Sequence, residues 1–332
     1  MLVEIIGTFL AISLLFYCIF AGADFGGGIL EIFIGQTKKK DQVMVISRAI
    51  APVWEANHVW IILAVVILFC GFPKAFAELS IQFHIPILIM LVGIILRGCA
   101  FTFRHYDAVK DRSQKVYSGI FVFSSVLTPL MLGMIAGGLF LGRAPMAGGS
   151  FFESYLGPWL NLFSFSLGLF TCTLFAFLAA VYLVGETTDP NLKVLFSKKA
   201  RAANVIAIFA GALVFISGQI DGVPLLQLFL ANPVSLAAIL LATAALWPLW
   251  VTLKRGSSWI PRFLAGTQVF FILTGWFSLQ YPAILVGRAG ALTIYNSAAP
   301  ELTLRYLLYA LVVGFILIFP SLLYLMGIFK KH

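Results

Sequence analysis

The sequence predicts an all-α polytopic membrane protein with nine transmembrane helices, its N-terminus outside and its C-terminus cytoplasmic. Composition is the first of three observations behind this. Of 332 residues, 61% are hydrophobic and only 11% charged, with mean hydropathy +1.02, a balance that excludes a soluble domain. The second is segmentation. Apolar runs cover about 3–23, 50–72, 79–103, 116–141, 159–184, 201–218, 233–253, 260–281 and 303–328, each near the ~20 residues a helix needs to cross a bilayer. The third is charge alternation. Lys38, Lys39, Lys40 and Arg48 follow the first run; Arg104, Lys110, Arg112 and Lys115 the third. Lys193, Lys198, Lys199 and Arg201 follow the fifth, Lys254, Arg255 and Arg262 the seventh, and Lys330 and Lys331 end the chain. The opposite side holds only Lys74, Arg143, Arg288 and Arg305. Because basic loops stay cytoplasmic, this pattern orients every span. With loops this short, residues 1–332 read as a single transmembrane domain, and the net charge of +9 orients the chain rather than binding nucleic acid.

Taken in order, the first run ends at Gly22-Ala-Asp24-Phe-Gly26-Gly27-Gly28. Three glycines end a helix or let a neighbour approach closely; without a following Lys and Ser/Thr they make no phosphate loop. Ile29 to Gly35 then reads as a segment along the cytoplasmic interface, with Lys38–Lys40 among headgroups. No basic region precedes the first run, and its membrane length argues against a cleaved signal peptide.

The second run opens with Arg48-Ala-Ile-Ala-Pro-Val-Trp-Glu-Ala-Asn-His-Val-Trp60. Pro52 suits a first helical turn, where its missing N–H costs nothing. At helical pitch Glu55, His58 and Val59 share a face and Trp54 stacks on His58. Ionisable groups inside a membrane-length segment are functional candidates unless the interface wets them. The third run carries Arg97 about two turns before Arg104. Asp24, Glu55 and Arg97 therefore fall in the cytoplasmic half of three consecutive helices, where they either fix packing or carry protons.

The remaining spans are plainer. Asn161, Ser164, Ser166, Gln268 and Gln280 read as hydrogen-bonding glue between helices, and Gly133, Gly137 and Gly138 as a close helix contact. Trp247, Trp250, Trp259 and Trp276 fit an interfacial belt. The loops 142–158 and 282–302 are long enough to cap the bundle. Cys18, Cys70, Cys99 and Cys172 are scattered singly and read as small hydrophobes. His58 and His84 sit towards opposite faces, while His105 and His332 lie at an end and in the tail. The sequence thus holds no paired axial haem ligands and no metal site.

Three motifs, Gly22–Gly28, Ala51–Trp60 and Leu96-Arg-Gly-Cys-Ala-Phe-Thr-Phe-Arg104, together resemble subunit II of cytochrome bd-type quinol oxidases. Chain length, nine spans and an outside N-terminus extend the likeness across the chain. The resemblance implies a bacterial cytoplasmic-membrane heterodimer, with room for small single-helix accessory subunits. Subunit I would carry two haems b and haem d, oxidise quinol and reduce oxygen. This chain would hold no redox centre; some members of the family hold a structural quinone in this subunit and others do not, and the resemblance leaves both open here. It further implies that Asp24 and Glu55 route cytoplasmic protons towards the haems. Trp54 matches a quinone-side tryptophan, and Arg97 and Arg104 match the third-span motif; Asn57 and His58 join them as quinone-facing or structural residues. Thr102 stands where some members have an acid. Burial would tune Glu55 as the better proton carrier, with Asp24 nearer the mouth. Two rivals remain: a purely structural or assembly subunit, and a secondary transporter, which would show charged, broken helices in both halves.

Overall fold

The computed structural model describes residues 1–35, 38–106, 113–143, 149–287 and 290–329. Lys110, Arg112, Arg288, Lys330, Lys331 and His332 lie outside the described residues. Among those described, nine helices are long and apolar enough to cross a membrane: Leu2–Ile32, Trp54–Gly71, His84–His105, Ser113–Leu141, Leu162–Val184, Pro190–Ile220, Pro233–Lys254, Trp259–Gln280 and Glu301–Ser321. They are numbered here as spans one to nine. The single exception to all-helical structure among the described residues is an antiparallel hairpin of β1, Ala283–Gly287, and β2, Gly290–Thr293. It packs on a short helix, Pro73–Gln82, where Gln82 Nε2 donates to the Val286 carbonyl at 3.2 Å.

Span one differs most from expectation. The helix does not end near residue 23 but runs on to Ile32 as a helix buried along much of its length. Gly26, Gly27 and Gly28 lie inside it rather than at its end, and Ile29 and Leu30 are core residues rather than an interfacial segment. Packing explains this. A Cβ on Gly26 would strike the backbone carbonyl of Phe175 in span five, and one on Gly28 would strike the Ser125 hydroxyl of span four. A Cβ on Gly22 would lie 2.7 Å from the Phe175 ring. Three small residues therefore let this helix lie in the groove between spans four and five, as small residues do where membrane helices touch closely. A π-turn at Tyr17–Ala21 precedes them; its added residue resets which face points inward.

Span five is the most enclosed of the nine, flanked by spans four and six and crossed by span one. Its contact with span four uses the glycines expected there. A Cβ on Gly133 would come within 2.6 Å of Gly168 Cα, one on Gly137 within 2.6 Å of Ser164 Cα, and one on Gly138 within 2.6 Å of the Phe83 ring. Asn161 caps span five by accepting from the Ser164 N–H at 2.8 Å, and Gln280 Nε2 reaches the Ile284 carbonyl at 3.0 Å. Of the expected tryptophan belt, Trp247 and Trp259 are exposed, whereas Trp250 donates to Asn204 and Trp276 packs on Phe140.

Other boundaries shift for local reasons. Span six starts at Pro190, not 201, because Asp189 caps it through the Asn191 N–H at 2.8 Å with proline at the first position. Lys193 to Arg201 thus lie on helix, not loop. Lys38 reaches across to Asp189 at 2.7 Å, and its ammonium holds that carboxyl below the usual range. Lys39–Ile50 forms an additional short helix. Span three starts at His84, since the chain turns at Phe83. Span two starts at Trp54: Pro52 lies in a turn between two helices, not in a helical first turn.

The close passage of span one gives a direct test. Gly26→Val should cost ~3 kcal/mol or more, because a backbone carbonyl cannot move aside as a side chain can. The expected outcome is loss of folded protein from membranes, read by fluorescence size-exclusion chromatography. The control Gly266→Ala, where a Cβ meets nothing within 4 Å, should leave the yield unchanged.

Candidate functional site

The ionisable residues of the first three spans collect inside one end of the bundle, the end bearing Lys38 and Lys39. The π-turn and the continuing helix turn Asp24 into the interior, where it is 6% exposed. Its Oδ2 accepts from Asn57 Nδ2 at 2.5 Å. Asn57 is available because span two is broken: Trp54–Asn57 is one helical turn, His58 takes a turn conformation, and a straight helix resumes at Val59. Glu55, His58 and Val59 consequently do not form the continuous face expected. Trp54 does not stack on His58 but leans on Gly98 and Phe101 of span three, 6.1 Å from the Phe101 ring. His58 turns instead towards Phe25 and Tyr17, with ring centroids 5.8 and 6.0 Å away.

Arg97 is 1% exposed, the most deeply buried charge in this cluster. Its guanidinium lies 4.7 Å from the Phe25 ring centroid and 5.3 Å from that of Phe121. Cation–π contact of this kind stabilises a desolvated cation by about 2 kcal/mol at most sites, too little to replace its water. Asp24 and Arg97 act on each other electrostatically without a direct ion pair. Arg97 Nε and Nη2, Tyr17 Oη, His58 Nδ1 and Trp60 Nε1 are buried with no hydrogen-bond partner. An unsatisfied buried polar atom costs ~1–3 kcal/mol, and four of these five, on Arg97, Tyr17 and His58, gather around Phe25 beside Asp24, while Trp60 packs on Phe16 and Phe20.

Two helical turns beyond Asp24, on the same face, is Glu31. Both its oxygens accept from Arg104 Nη1, at 3.1 and 2.9 Å, and Arg104 Nη2 donates to Ser47 Oγ at 3.1 Å. The pair is almost fully enclosed, with side chains 6% and 9% exposed. Arg104 also lies 4.3 Å from the Phe121 ring, so the two arginines share one aromatic wall. Glu31 escapes the sequence reading because span one appears to end before it. Extending the helix by the 3.6-residue period puts positions 24 and 31 on one face, and that is the signal that could have found it.

Glu55 is placed differently from expectation. It is exposed on this chain and makes no hydrogen bond or ion pair with the described residues. Burial therefore singles out Asp24, not Glu55, and the expected trio of Asp24, Glu55 and Arg97 reduces to Asp24 and Arg97 with Asn57. Thr102 is also exposed. His84 Nδ1 hydrogen-bonds the Ile81 carbonyl at 2.9 Å, and His105 stacks on Phe101 at 6.0 Å.

These features define a polytopic membrane protein with buried, incompletely paired ionisable groups inside one end of its bundle. Comparison makes the class specific: the family model for cytochrome bd terminal oxidase subunit II matches residues 2–329, and the chain belongs to that family. It is similar to cytochrome bd ubiquinol oxidase subunit 2 of Bacillus subtilis (strain 168), 29% identical over 210 residues, covering 62% of this chain and 60% of that one. Cytochrome bd-I ubiquinol oxidase subunit 2 of Escherichia coli (strain K12) is 26% identical over 217 residues, 64% of this chain and 56% of that one. The matches thus span under two thirds of either relative's length. The fold is that of a chain in the bd oxidase structure from Geobacillus thermodenitrificans, with TM-score 0.78, 21% identity and 99% of both chains covered.

The enclosed Glu31–Arg104 pair carries a prediction. Arg104→Met, which strands a buried carboxylate, should destabilise the protein by about 3–5 kcal/mol. Adding Glu31→Gln should restore more than half of that loss. Denaturation midpoints in detergent, compared across the double-mutant cycle, measure it.

Proposed function

We propose that this chain is the haem-free subunit II of a quinol:oxygen oxidoreductase in a bacterial cytoplasmic membrane, and that it admits cytoplasmic protons through Asp24. In this reading the N-terminus is outside, the lysine-rich end faces the cytoplasm, and a haem-bearing subunit I covers part of the lipid-facing surface. Two haems b and haem d belong to that partner, where quinol is oxidised and oxygen reduced. Small single-helix subunits fit the remaining exposed faces.

The observation that carries the proposal is the buried Asp24–Asn57 contact beside Arg97, in a cluster whose polar atoms outnumber their protein partners. A proton-conducting carboxylate needs neighbours that hold it in place yet leave it room to gain and lose a proton. Asn57 supplies one directional hydrogen bond, and Arg97, not in direct contact, stabilises the charged form without locking it. Tyr17 Oη and His58 Nδ1 lie next along the same interior and offer the following exchange partners. Glu31, fully engaged by Arg104, holds spans one and three together near the cytoplasmic mouth rather than conducting. Glu55, exposed at a similar depth, is the second acid of the route and faces the partner subunit. Trp54, wedged on Gly98, shapes the wall beside Arg97 and forms one side of a quinone-facing surface. The haems would supply the electron transfer and oxygen chemistry.

The purely structural reading is supported by the Glu31–Arg104 pair, which accounts for packing without proton transfer, but it leaves the unpaired atoms around Arg97 without a purpose. The assay is quinol-driven oxygen uptake by the assembled complex. Asp24→Asn should lower turnover at least ~100-fold, the lower end expected for a lost acid–base group, with the haem absorption spectrum unchanged. Glu55→Gln should slow turnover less, and Glu31→Gln should reduce assembly more than turnover per haem. Wild-type turnover in assembled Asp24→Asn would remove Asp24 from the route.

A further inference from the structure

A second feature lies away from this cluster, among spans five, six, seven and eight, and opens to the outer surface of the bundle beside Ile208 and Thr243. It is a cavity of about 380 Å³, within the size range of small-molecule sites. Its wall is nearly all aliphatic and aromatic, with Phe229 and Trp276 towards one end. Along span six it extends from Asn204 to Phe215, ~16 Å of helix. It is therefore an elongated slot, not a gap beside one residue.

Its polar end is incomplete. Asn204 is 3% exposed, and its Oδ1 accepts from Trp250 Nε1 at 2.9 Å. That contact fixes the amide orientation and leaves the Asn204 NH₂ without a partner among the described residues. Beside the same cavity Gln268, 6% exposed, donates through Nε2 to the Ala242 carbonyl at 3.2 Å, and its Oε1 is unpaired. Two helices each place a buried, half-satisfied amide at an otherwise apolar slot. Each amide makes one contact to span seven, Gln268 to the Ala242 carbonyl and Asn204 to the Trp250 ring, and each keeps one polar atom unmet among the described residues.

We infer that this slot is a binding site for a membrane-soluble molecule with an apolar chain and one carbonyl oxygen, which accepts a hydrogen bond from the Asn204 amide. Shape selects the chain, and the free N–H donor selects the oxygen. An ester-linked glycerolipid and a prenyl quinone both carry that chemistry. The site is separate from the Asp24 cluster, and its occupancy does not depend on proton conduction.

The test is photolabelling of the whole complex in native membranes with two diazirine probes: a long-chain methyl ester and the hydrocarbon of equal length. The ester should label peptides of spans six and eight about tenfold more than the hydrocarbon, roughly what one net hydrogen bond supplies. Asn204→Leu should abolish that preference. Trp250→Phe breaks the same Trp–Asn contact but keeps the NH₂, and should preserve it. Competition identifies the source: displacement by a dioleoyl glycerolipid marks a lipid site, and displacement by a short-chain quinone marks a quinone site. Equal labelling of wild type by both probes, or displacement by neither competitor, would overturn the inference.

Discussion

The arrangement depends on how closely the first span can approach the fifth. In a bilayer the lipid offers no hydrophobic drive for helices to associate, so close van der Waals contact and hydrogen bonds must do it. At Gly26 the approach is so near that the Phe175 carbonyl occupies the space of a side chain. This contact keeps the helix straight past the point where three consecutive glycines would otherwise end it, since backbone flexibility matters little when both flanks are packed. Everything at the functional end follows. Asp24 lies between Gly22 and Gly26, so the contact that brings the helices together also pulls the carboxylate out of lipid. Seven residues on, Glu31 is carried inside with it and requires Arg104.

That logic also sets what the sequence could reveal. Span count and most boundaries were legible because hydropathy needs only length, and the Gly133–Gly138 contact was legible because small residues have few other reasons to recur at that spacing. The residues of the ionisable cluster were legible too, because Asp24, Asn57 and Arg97 are costly in a membrane wherever they point. Their partners were not. Whether Gly26–Gly28 breaks a helix or packs it depends on Phe175, about 150 residues away in sequence. The interruption at His58, which frees Asn57 to meet Asp24, has no local signature beyond Pro52. The burial of Glu31 follows from the helix continuing, and so inherits the same uncertainty of reading. The hairpin at 283–293 is short and partly polar, and nothing in a helical count anticipates it.

Asp24 and Glu31 show how one helix face can hold two acids in different settings. Both are enclosed, and an arginine acts on each. Glu31 has both oxygens on one guanidinium nitrogen, with Ser47 steadying the other. Removing either partner of such a buried pair strands the other without its hydrogen bonds. Asp24 has a single directional contact, to a neutral amide, while its arginine stands off against two aromatic rings. No ion pair joins Asp24 to Arg97, so a single hydrogen bond to Asn57 fixes the carboxylate. The same bundle end therefore holds an ion pair that ties span one to span three and, about 10 Å of helix further in, a carboxylate held by a single neutral amide.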